Sequence, residues 1–262
     1  MKKLIVNADD FGWSSSVNLG IVDCYRSGIV TSTSLLATGV AFDNAVTLTR
    51  ENTGLQIGVH LNFYRGKALL KESGQLPGSV SRFLKLFLTK KITLNQIEKE
   101  FRAQIEKVRA TGLVITHLNS EKHLHLWPSI FRLTCKLADE YKIPYVRLVR
   151  EKLSTNPISL VLTQFSHYNA QVLVKYGLTS SDSTIGVSRA PADLINLERL
   201  LEEGAGGDGE SVEFIVHPGY LDEEFWQIDK SIKNKLTYSR KAEAATLMSK
   251  EASELIEKYE SR

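Results

Sequence analysis

Short β-branched apolar runs alternate along the chain with longer segments in which apolar residues recur at helical spacing. The β-branched runs predict buried strands. They are "KLIVN" at 3–7, "IVTSTSLLATG" at 29–39, "LQIGVHLNF" at 55–63, "LVITHLN" at 113–119, "YVRLV" at 145–149 and "SVEFIVHPGY" at 211–220. In this interpretation the last strand ends at His217.

The segments between these strands predict helices. The clearest begins with Thr93 and Gln96, which form a capping box, and continues with an apolar face of Ile97, Phe101, Ile105 and Val108. A helix at 14–26 has serine hydroxyls at its start and Gly28 after its end. Further helices are predicted at 41–52, 81–88, 128–141, 157–175 and 193–203, and in a long Ala- and Glu-rich segment that closes the chain.

Strands that alternate with helices over the whole length predict an α/β protein with a parallel sheet. No GxGxxG follows the first strand, so a dinucleotide-binding fold lacks its main signal. Periodicity alone does not decide between an open sheet and a barrel. We expect one domain over 1–262, with an insertion at 66–91 that follows a strand end and covers the substrate as a lid.

Composition narrows the function classes. The chain has 262 residues, 42% apolar and 24% charged, with a net charge of +3 from interspersed acids and bases. This thin positive excess does not indicate a nucleic-acid partner. Cys24 and Cys135 are isolated, no apolar run approaches the ~20 residues of a membrane span, and the N-terminal apolar run is too short for a signal peptide. We therefore expect a cytoplasmic protein with no membrane span.

Ionisable residues collect at the ends of the predicted strands. Asp9 and Asp10 follow the first strand, His60 ends the third, and Glu121, His123 and His125 follow "LVITHLN". Of the six histidines, only His167 lies apart from such a segment. Because the carboxyl ends of parallel strands meet at one rim, we expect these side chains to form one site with His217.

An aspartate and two histidines are suitable ligands for a catalytic divalent metal, and a three-ligand set leaves a position for water. Asp9 and Asp10 can then divide the work, one as ligand and the other as general base. Taken singly, the Asp pair could cap a turn and His60 could be a core histidine. His123 and His125 share a face only if their segment is extended. All of these ordinary roles would have to coincide at strand ends, so we interpret the set as a site.

Five stretches carry a resemblance to a known family. They are "NADDFG", "GIVTSTSLL", "GVHLNF", "THLNSEKHLH" and "VEFIVHPGY". With them the chain resembles the YdjC-like carbohydrate deacetylases, which include chitooligosaccharide deacetylases. The resemblance implies a single-domain, TIM-barrel-like (β/α) barrel of mostly parallel strands, a homodimer, and metal-dependent removal of acetyl groups from N-acetylated sugars. "NSEKHLHLWP" is more similar to the hopanoid-associated branch, so a glycolipid or a nucleotide-linked amino sugar is an alternative substrate.

The resemblance also implies roles for individual residues. Asp10 and His60 would hold the metal, Asp9 would be the general base, and His217 would protonate the leaving amine. The family stretch reads Asp-Ser-His-x-His-x-His, but here the first His is Glu121 and the Asp is Asn119. Either Glu121 or His125 is then the third ligand. Two carboxylates with one His would favour Mg²⁺ or Mn²⁺, whereas Zn²⁺ suits the imidazole-rich set.

Four further residues are candidates for substrate binding: His123, Arg147, Tyr64 and Trp127. Arg147 would orient Asp9, His217 or a substrate hydroxyl, or else form a surface salt bridge. The expected partner is an N-acetylated sugar or glycoconjugate. One alternative function is a metal-dependent phosphoesterase, for which Arg65, Lys67 and Lys122 would bind phosphate. Another is a sugar-binding homologue in which Glu121 marks the loss of catalysis.

Overall fold

The computed structural model describes residues 3–151, 156–205, 209–220 and 236–261. Seven strands form one sheet in the order β5-β4-β3-β2-β1-β7-β6, and every pair is parallel. The strands are β1 Lys3–Phe11, β2 Ser32–Leu35, β3 Gln56–Leu61, β4 Ile115–Ser120, β5 Tyr145–Val146, β6 Ser183–Ile185 and β7 Ser211–Val216. The predicted parallel α/β architecture is confirmed.

The two edges of this sheet approach each other. Arg150, just beyond β5, donates its amide to the Thr184 hydroxyl at 2.6 Å, and the Thr184 amide donates to the Arg150 carbonyl at 3.1 Å. The Val146 amide also donates to the carbonyl of Thr179 at 3.0 Å. The sheet is therefore curled, as in a TIM-barrel-like fold. Periodicity alone left an open sheet and a barrel as alternatives, and the structure has the curled, barrel-like form.

Helices lie between consecutive strands and after the last strand. They are α1 Ser15–Arg26, α2 Phe42–Glu51, α3 Val80–Leu88, α4 Leu94–Arg109, α5 Pro128–Glu140, α6 Pro157–Lys175, α7 Leu194–Ala205, α8 Leu236–Leu247 and α9 Lys250–Glu260. Both halves of the predicted capping box between Thr93 and Gln96 are present. The Ser14 hydroxyl accepts from the Val17 amide, and Gly28, at φ 92°, follows the end of α1.

Four features of local structure differ from what the sequence predicted. The closing helix is two helices, because Ser249 interrupts it and its hydroxyl accepts from the Ala252 amide to start α9. Strand β6 was not predicted, since three residues are too few for a pattern. Only two residues of "YVRLV" form strand. The sequence "EEGAGGDGES" at 202–211 also predicts a flexible turn, but residues 202–205 belong to α7, and 206–208 lie outside the described residues.

The 66–91 segment, which the sequence predicts to be an insertion, is held against α4 through a buried carboxylate. It contains α3 and a short 3-10 helix, Lys71–Ser73. The Glu100 carboxylate on α4 accepts from the amides of Leu69 and Leu70 at 2.8 and 3.1 Å. These bonds satisfy a buried charge and hold the start of the insertion against α4. Over the described part of the chain, no helix combines the length and apolarity needed to span a bilayer.

Candidate active site

The two adjacent aspartates lie inside β1, which continues to Phe11 and is longer than the sequence pattern predicted. Asp10 has φ 74°, and its carbonyl accepts from the Trp13 amide at 3.1 Å. A left-handed backbone is uncommon for a residue other than glycine and marks a constrained position. From this turn the Asp9 and Asp10 carboxylates reach different partners.

Asp10, His60 and Glu121 form a group that could hold a metal ion. One ligand atom from each lies within 4.8 Å of the others, and all three residues are buried. His60 Nε2 is 3.7 Å from Asp10 Oδ1 and 3.8 Å from Glu121 Oε2. Two carboxylates and an imidazole converging on one point fit a divalent cation, with a preference toward harder ions.

Asn119 fixes the ring orientation of His60. Its amide nitrogen donates to Asp9 Oδ1 at 3.0 Å and to the Ser34 hydroxyl at 2.7 Å. Its Oδ1 is therefore the acceptor that lies 2.7 Å from His60 Nδ1. We assign the proton to Nδ1, which leaves Nε2 as the lone-pair nitrogen facing Asp10 and Glu121. A metal-binding histidine typically has this arrangement.

Asp9 is paired with Arg147 and is not part of the Asp10–His60–Glu121 group. Arg147 Nη1 and Nη2 donate to Asp9 Oδ2 and Oδ1 at 2.6 and 2.9 Å, and its Nε donates to Glu213 at 2.8 Å. Burial opposes ionisation of Asp9, but Arg147 outweighs it and holds the pKa of that carboxyl well below its usual range. Arg147 is fully buried, so the surface salt bridge considered for it is wrong.

Arg240 and Glu243 are site residues that the sequence did not reveal. Both are buried on α8, and Arg240 donates to Asp10 Oδ2. Although burial raises the pKa of Asp10, Arg240 brings it below the usual range. Glu243 accepts from the His217 amide at 2.7 Å. An Ala-rich helix far along the chain carries no signal that these two charged residues face the strand ends.

The 121–126 segment is a 3-10 helix with a kink, not an extended strand. Lys122 and His123 have φ 52° and 54°, so His123 and His125 do not share a strand face. His125 is fully buried, with Nδ1 2.7 Å from the Ser120 hydroxyl and Nε2 2.9 Å from the Arg147 carbonyl. Both ring nitrogens of His125 are occupied in hydrogen bonds, and His125 is not a member of the Asp10–His60–Glu121 group. His123 is among the residues that line the cavity.

A cavity of about 700 Å³ adjoins the group. Its polar lining, called the floor below, consists of Asp9, Asp10, His60, Arg65, Ser120, Glu121, Lys122, His123, His217 and Arg240. Its walls are mainly apolar and come from α3, α6 and neighbouring segments: Val80, Phe83, Leu84, Leu124, Trp127, Pro157, Ile158, Val161, Leu162, Phe165, Val187 and Ile215. Trp127, predicted to contact substrate, lies in the wall. Among the described lining residues Tyr64 does not occur; its ring lies beside Arg65.

A curled parallel sheet with carboxylates and an imidazole at its strand ends defines a barrel-like α/β protein with a candidate metal centre. The family model described as YdjC-like protein matches residues 3–258. The chain therefore belongs to the YdjC-like family.

Two relatives and one solved structure illustrate the similarity. The chain is 33% identical to a carbohydrate deacetylase of Clostridium beijerinckii, covering 97% of this chain and 94% of the relative. It is 35% identical to a carbohydrate deacetylase of Brevibacillus brevis, covering 94% and 92%. A crystal structure from Enterococcus faecalis, provisionally described as a cellobiose-phosphate cleavage protein, is 24% identical with a TM-score of 0.77, covering 98% and 95%. This last match concerns the fold alone.

Proposed function

We propose that the protein is a metal-dependent deacetylase that releases acetate from an N-acetylated sugar or glycoconjugate. The observation that carries the proposal is the buried Asp10–His60–Glu121 group on the floor of the cavity, with Asp9 beside it. The carbohydrate deacetylase names of the Clostridium and Brevibacillus relatives support the reaction class.

Asp10, His60 and Glu121 would hold one divalent ion, with Mg²⁺ or Mn²⁺ favoured by the two carboxylates and Zn²⁺ also suited to the set. Such an ion supplies a Lewis acid for the acetyl carbonyl and lowers the pKa of water. We prefer Glu121 to His125 as third ligand because both nitrogens of His125 are occupied in hydrogen bonds.

Asp9 is suited to receive the proton of the attacking water. Its low pKa keeps it ionised at neutral pH. Its Oδ1 accepts from Asn7, Asn119 and Arg147, whereas Oδ2 accepts from Arg147. Oδ2, which accepts fewer hydrogen bonds than Oδ1, is therefore the proton acceptor in this scheme. His217, on the same floor and held through its amide by Glu243, donates a proton to the departing amine.

The cavity walls support a substrate with an apolar part. Sugar hydroxyls need polar partners, whereas most of the surface that lines the cavity is aliphatic and aromatic. We therefore favour a glycoconjugate whose acetamido group reaches the floor while an apolar substituent lies between α3 and α6. In this scheme the 66–91 insertion covers the substrate, because its Val80, Phe83 and Leu84 side chains line the cavity.

The alternatives have less support. A phosphoesterase would need basic groups available to phosphate, yet Arg65 and Lys122 lie 3.1 and 3.4 Å from Glu121 carboxylate oxygens. A sugar-binding protein without catalysis would not need Asp9 and Asp10 in separate buried ion pairs beside an imidazole.

The test is acetate release by metal-stripped protein reloaded with Mg²⁺, Mn²⁺ or Zn²⁺. The substrates are N-acetylglucosamine, its β-1,4 oligomers and its methyl, octyl and dodecyl glycosides, with the matching glycosyl phosphates for phosphate release. Metal-dependent acetate release that disappears in Glu121→Ala is the expected result. Phosphate release without acetate would replace the proposal with the phosphoesterase. Metal binding with neither product from this panel would contradict the proposed substrate class.

A further inference from the structure

We infer that Arg65 is a positioning residue that fixes Glu121 as a metal ligand and balances its charge. The inference depends on the metal site proposed above, but not on the identity of the substrate. Arg65 Nη2 donates to Glu121 Oε2 at 3.1 Å, and this is the carboxylate oxygen that lies 3.8 Å from His60 Nε2. Arg65 thus contacts the oxygen that faces the other two ligands.

The position of Arg65 is built into the fold. Its guanidinium carbon lies 3.4 Å from the centre of the ring of Trp13, a buried residue three positions after Asp10. Its backbone is held by Asn62, whose side chain accepts from the Arg65 amide at 3.2 Å and donates to the Arg65 carbonyl at 2.9 Å. Stacking on an aromatic ring and a fixed turn reduce the freedom of an otherwise flexible side chain.

The burial of the pair makes its charges interdependent. The side chains of Arg65 and Glu121 are 14% and 3% exposed, so neither charge is well solvated without the other. Lys122 also approaches Glu121, at 3.4 Å, but its side chain is 40% exposed and its effect is screened by solvent. Arg65 is therefore the principal fixed counter-charge to Glu121.

The formal charges of the three proposed ligands and Arg65 show what the Arg65–Glu121 pair does for the proposed metal site. Asp10, Glu121 and Arg65 sum to −1 with His60 neutral, the same total as one aspartate with two neutral imidazoles, and Arg240, which pairs with Asp10, adds one positive charge to both totals. Arg65 thus lets a carboxylate act as third ligand without making the site more negative than an imidazole would. If Glu121 is replaced by His, the charge of Arg65 is no longer balanced by Glu121 and repels a metal ion at this position.

A double-mutant cycle on metal affinity tests this role. Isothermal titration with Mn²⁺ and with Zn²⁺ is performed on the wild type, Arg65→Gln, Glu121→His and Glu121→His/Arg65→Gln, with circular dichroism to verify folding. Arg199→Gln, an exposed arginine on α7, is the control. We expect Arg65→Gln to weaken binding by about tenfold or more when Glu121 is present, because its orientation is lost. In the Glu121→His background we expect the same change to strengthen binding, because a cation that repels the metal is removed.

The effect of Arg65→Gln on metal affinity thus changes sign between the two backgrounds. A purely structural role or a purely electrostatic role of Arg65 would give the same sign in both. If Arg65→Gln changes the affinity by the same factor in both backgrounds, the inference is overturned while the metal site stands. A wild-type chain that binds neither ion would overturn the metal site and the role of Arg65 together.

Discussion

At the scale of single residues, the carboxylate proposed to bind the metal and the carboxylate proposed to accept the proton each have their own arginine partner. Asp9 is paired with Arg147 and Asp10 with Arg240, although the two aspartates are adjacent in sequence. The strand-end pattern predicted Asp9, Asp10, His60 and Glu121 as neighbours because parallel strands end at one rim. It could not predict Arg240, which is 230 positions from Asp10 and depends on the path of the chain after β7.

Asp9→Asn tests the division between the two aspartates. We expect metal binding to be retained and kcat to fall by about 10²–10⁴, because the amide cannot accept the proton of water. Metal titration and acetate release measure the two effects, and Asp43→Asn on the exposed face of α2 is the control. Loss of the metal in Asp9→Asn would make Asp9 a ligand, and unchanged turnover would place the base elsewhere.

Asn119→Ala tests the orientation of His60. The change removes the acceptor of the Nδ1 proton, so the ring is free to rotate and we expect metal affinity to fall by roughly 10–100-fold. Titration calorimetry checks this against Asn95→Ala, an exposed position on α4. Affinity equal to that of the control would mean that the 2.7 Å contact between His60 and Asn119 does not orient the ligand.

At the scale of elements, the helices and most strands were predictable because their signals are local. Capping hydroxyls, Gly28 and apolar spacing located α1 and α4 within a residue or two. Strand β6 and the kink at Lys122–His123 were not, since both depend on tertiary contacts. Helix α6 is apolar over a wide arc. This apolar pattern made the bounds of α6 predictable. It did not reveal that Pro157, Ile158 and Val161 line the cavity.

At the scale of elements, a prediction concerns how helix α8 holds the segment that carries His217. Glu243 holds the amide of His217 at 2.7 Å, so Glu243→Ala should release the segment that carries the proposed acid. We expect kcat to fall by about tenfold, the equivalent of one charged hydrogen bond, with metal affinity nearly unchanged. Acetate release and metal titration are compared with Glu257→Ala, an exposed position on α9. An equal loss of metal affinity would show that α8 acts through Arg240 and Asp10 instead.

At the scale of the whole molecule, the inside of the curled sheet is polar beneath the site. Ser34 joins β2 to His117 and Asn119 of β4, and Arg147 joins the end of β5 to Asp9 of β1 and Glu213 of β7. These buried groups connect strands that are not neighbours in the sheet. Sequence reasoning assigned Arg147 to the site but gave His117 no role, because a histidine within a strand carries no sign of which way it faces.

This polar interior makes stability depend on pH. Burial, reinforced by the charge of Arg147, lowers the pKa of His117 to about 3. Burial likewise lowers the pKa of His125 to about 3. In the unfolded chain each His binds a proton below about pH 6.5, whereas the folded chain does not until near pH 3. As pH falls through this window the unfolded state takes up more protons, so each His reduces the free energy of unfolding by up to about 1.4 kcal/mol per pH unit.

We therefore expect urea midpoints, measured with chelator present, to fall steadily from about pH 6.5 to about pH 5, above the range in which most carboxylates of the unfolded chain titrate. His117→Gln should be less stable at pH 7.5, because its packing and its bonds to Ser34 and Thr116 change. The slope of its free energy of unfolding against pH should nevertheless be smaller than that of the wild type by up to about 1.4 kcal/mol per pH unit, which corresponds to one proton. His167→Gln, at an exposed position on α6, should keep the wild-type slope. A slope in His117→Gln equal to that of the wild type would mean that His117 is already protonated, or already solvated, in the folded protein.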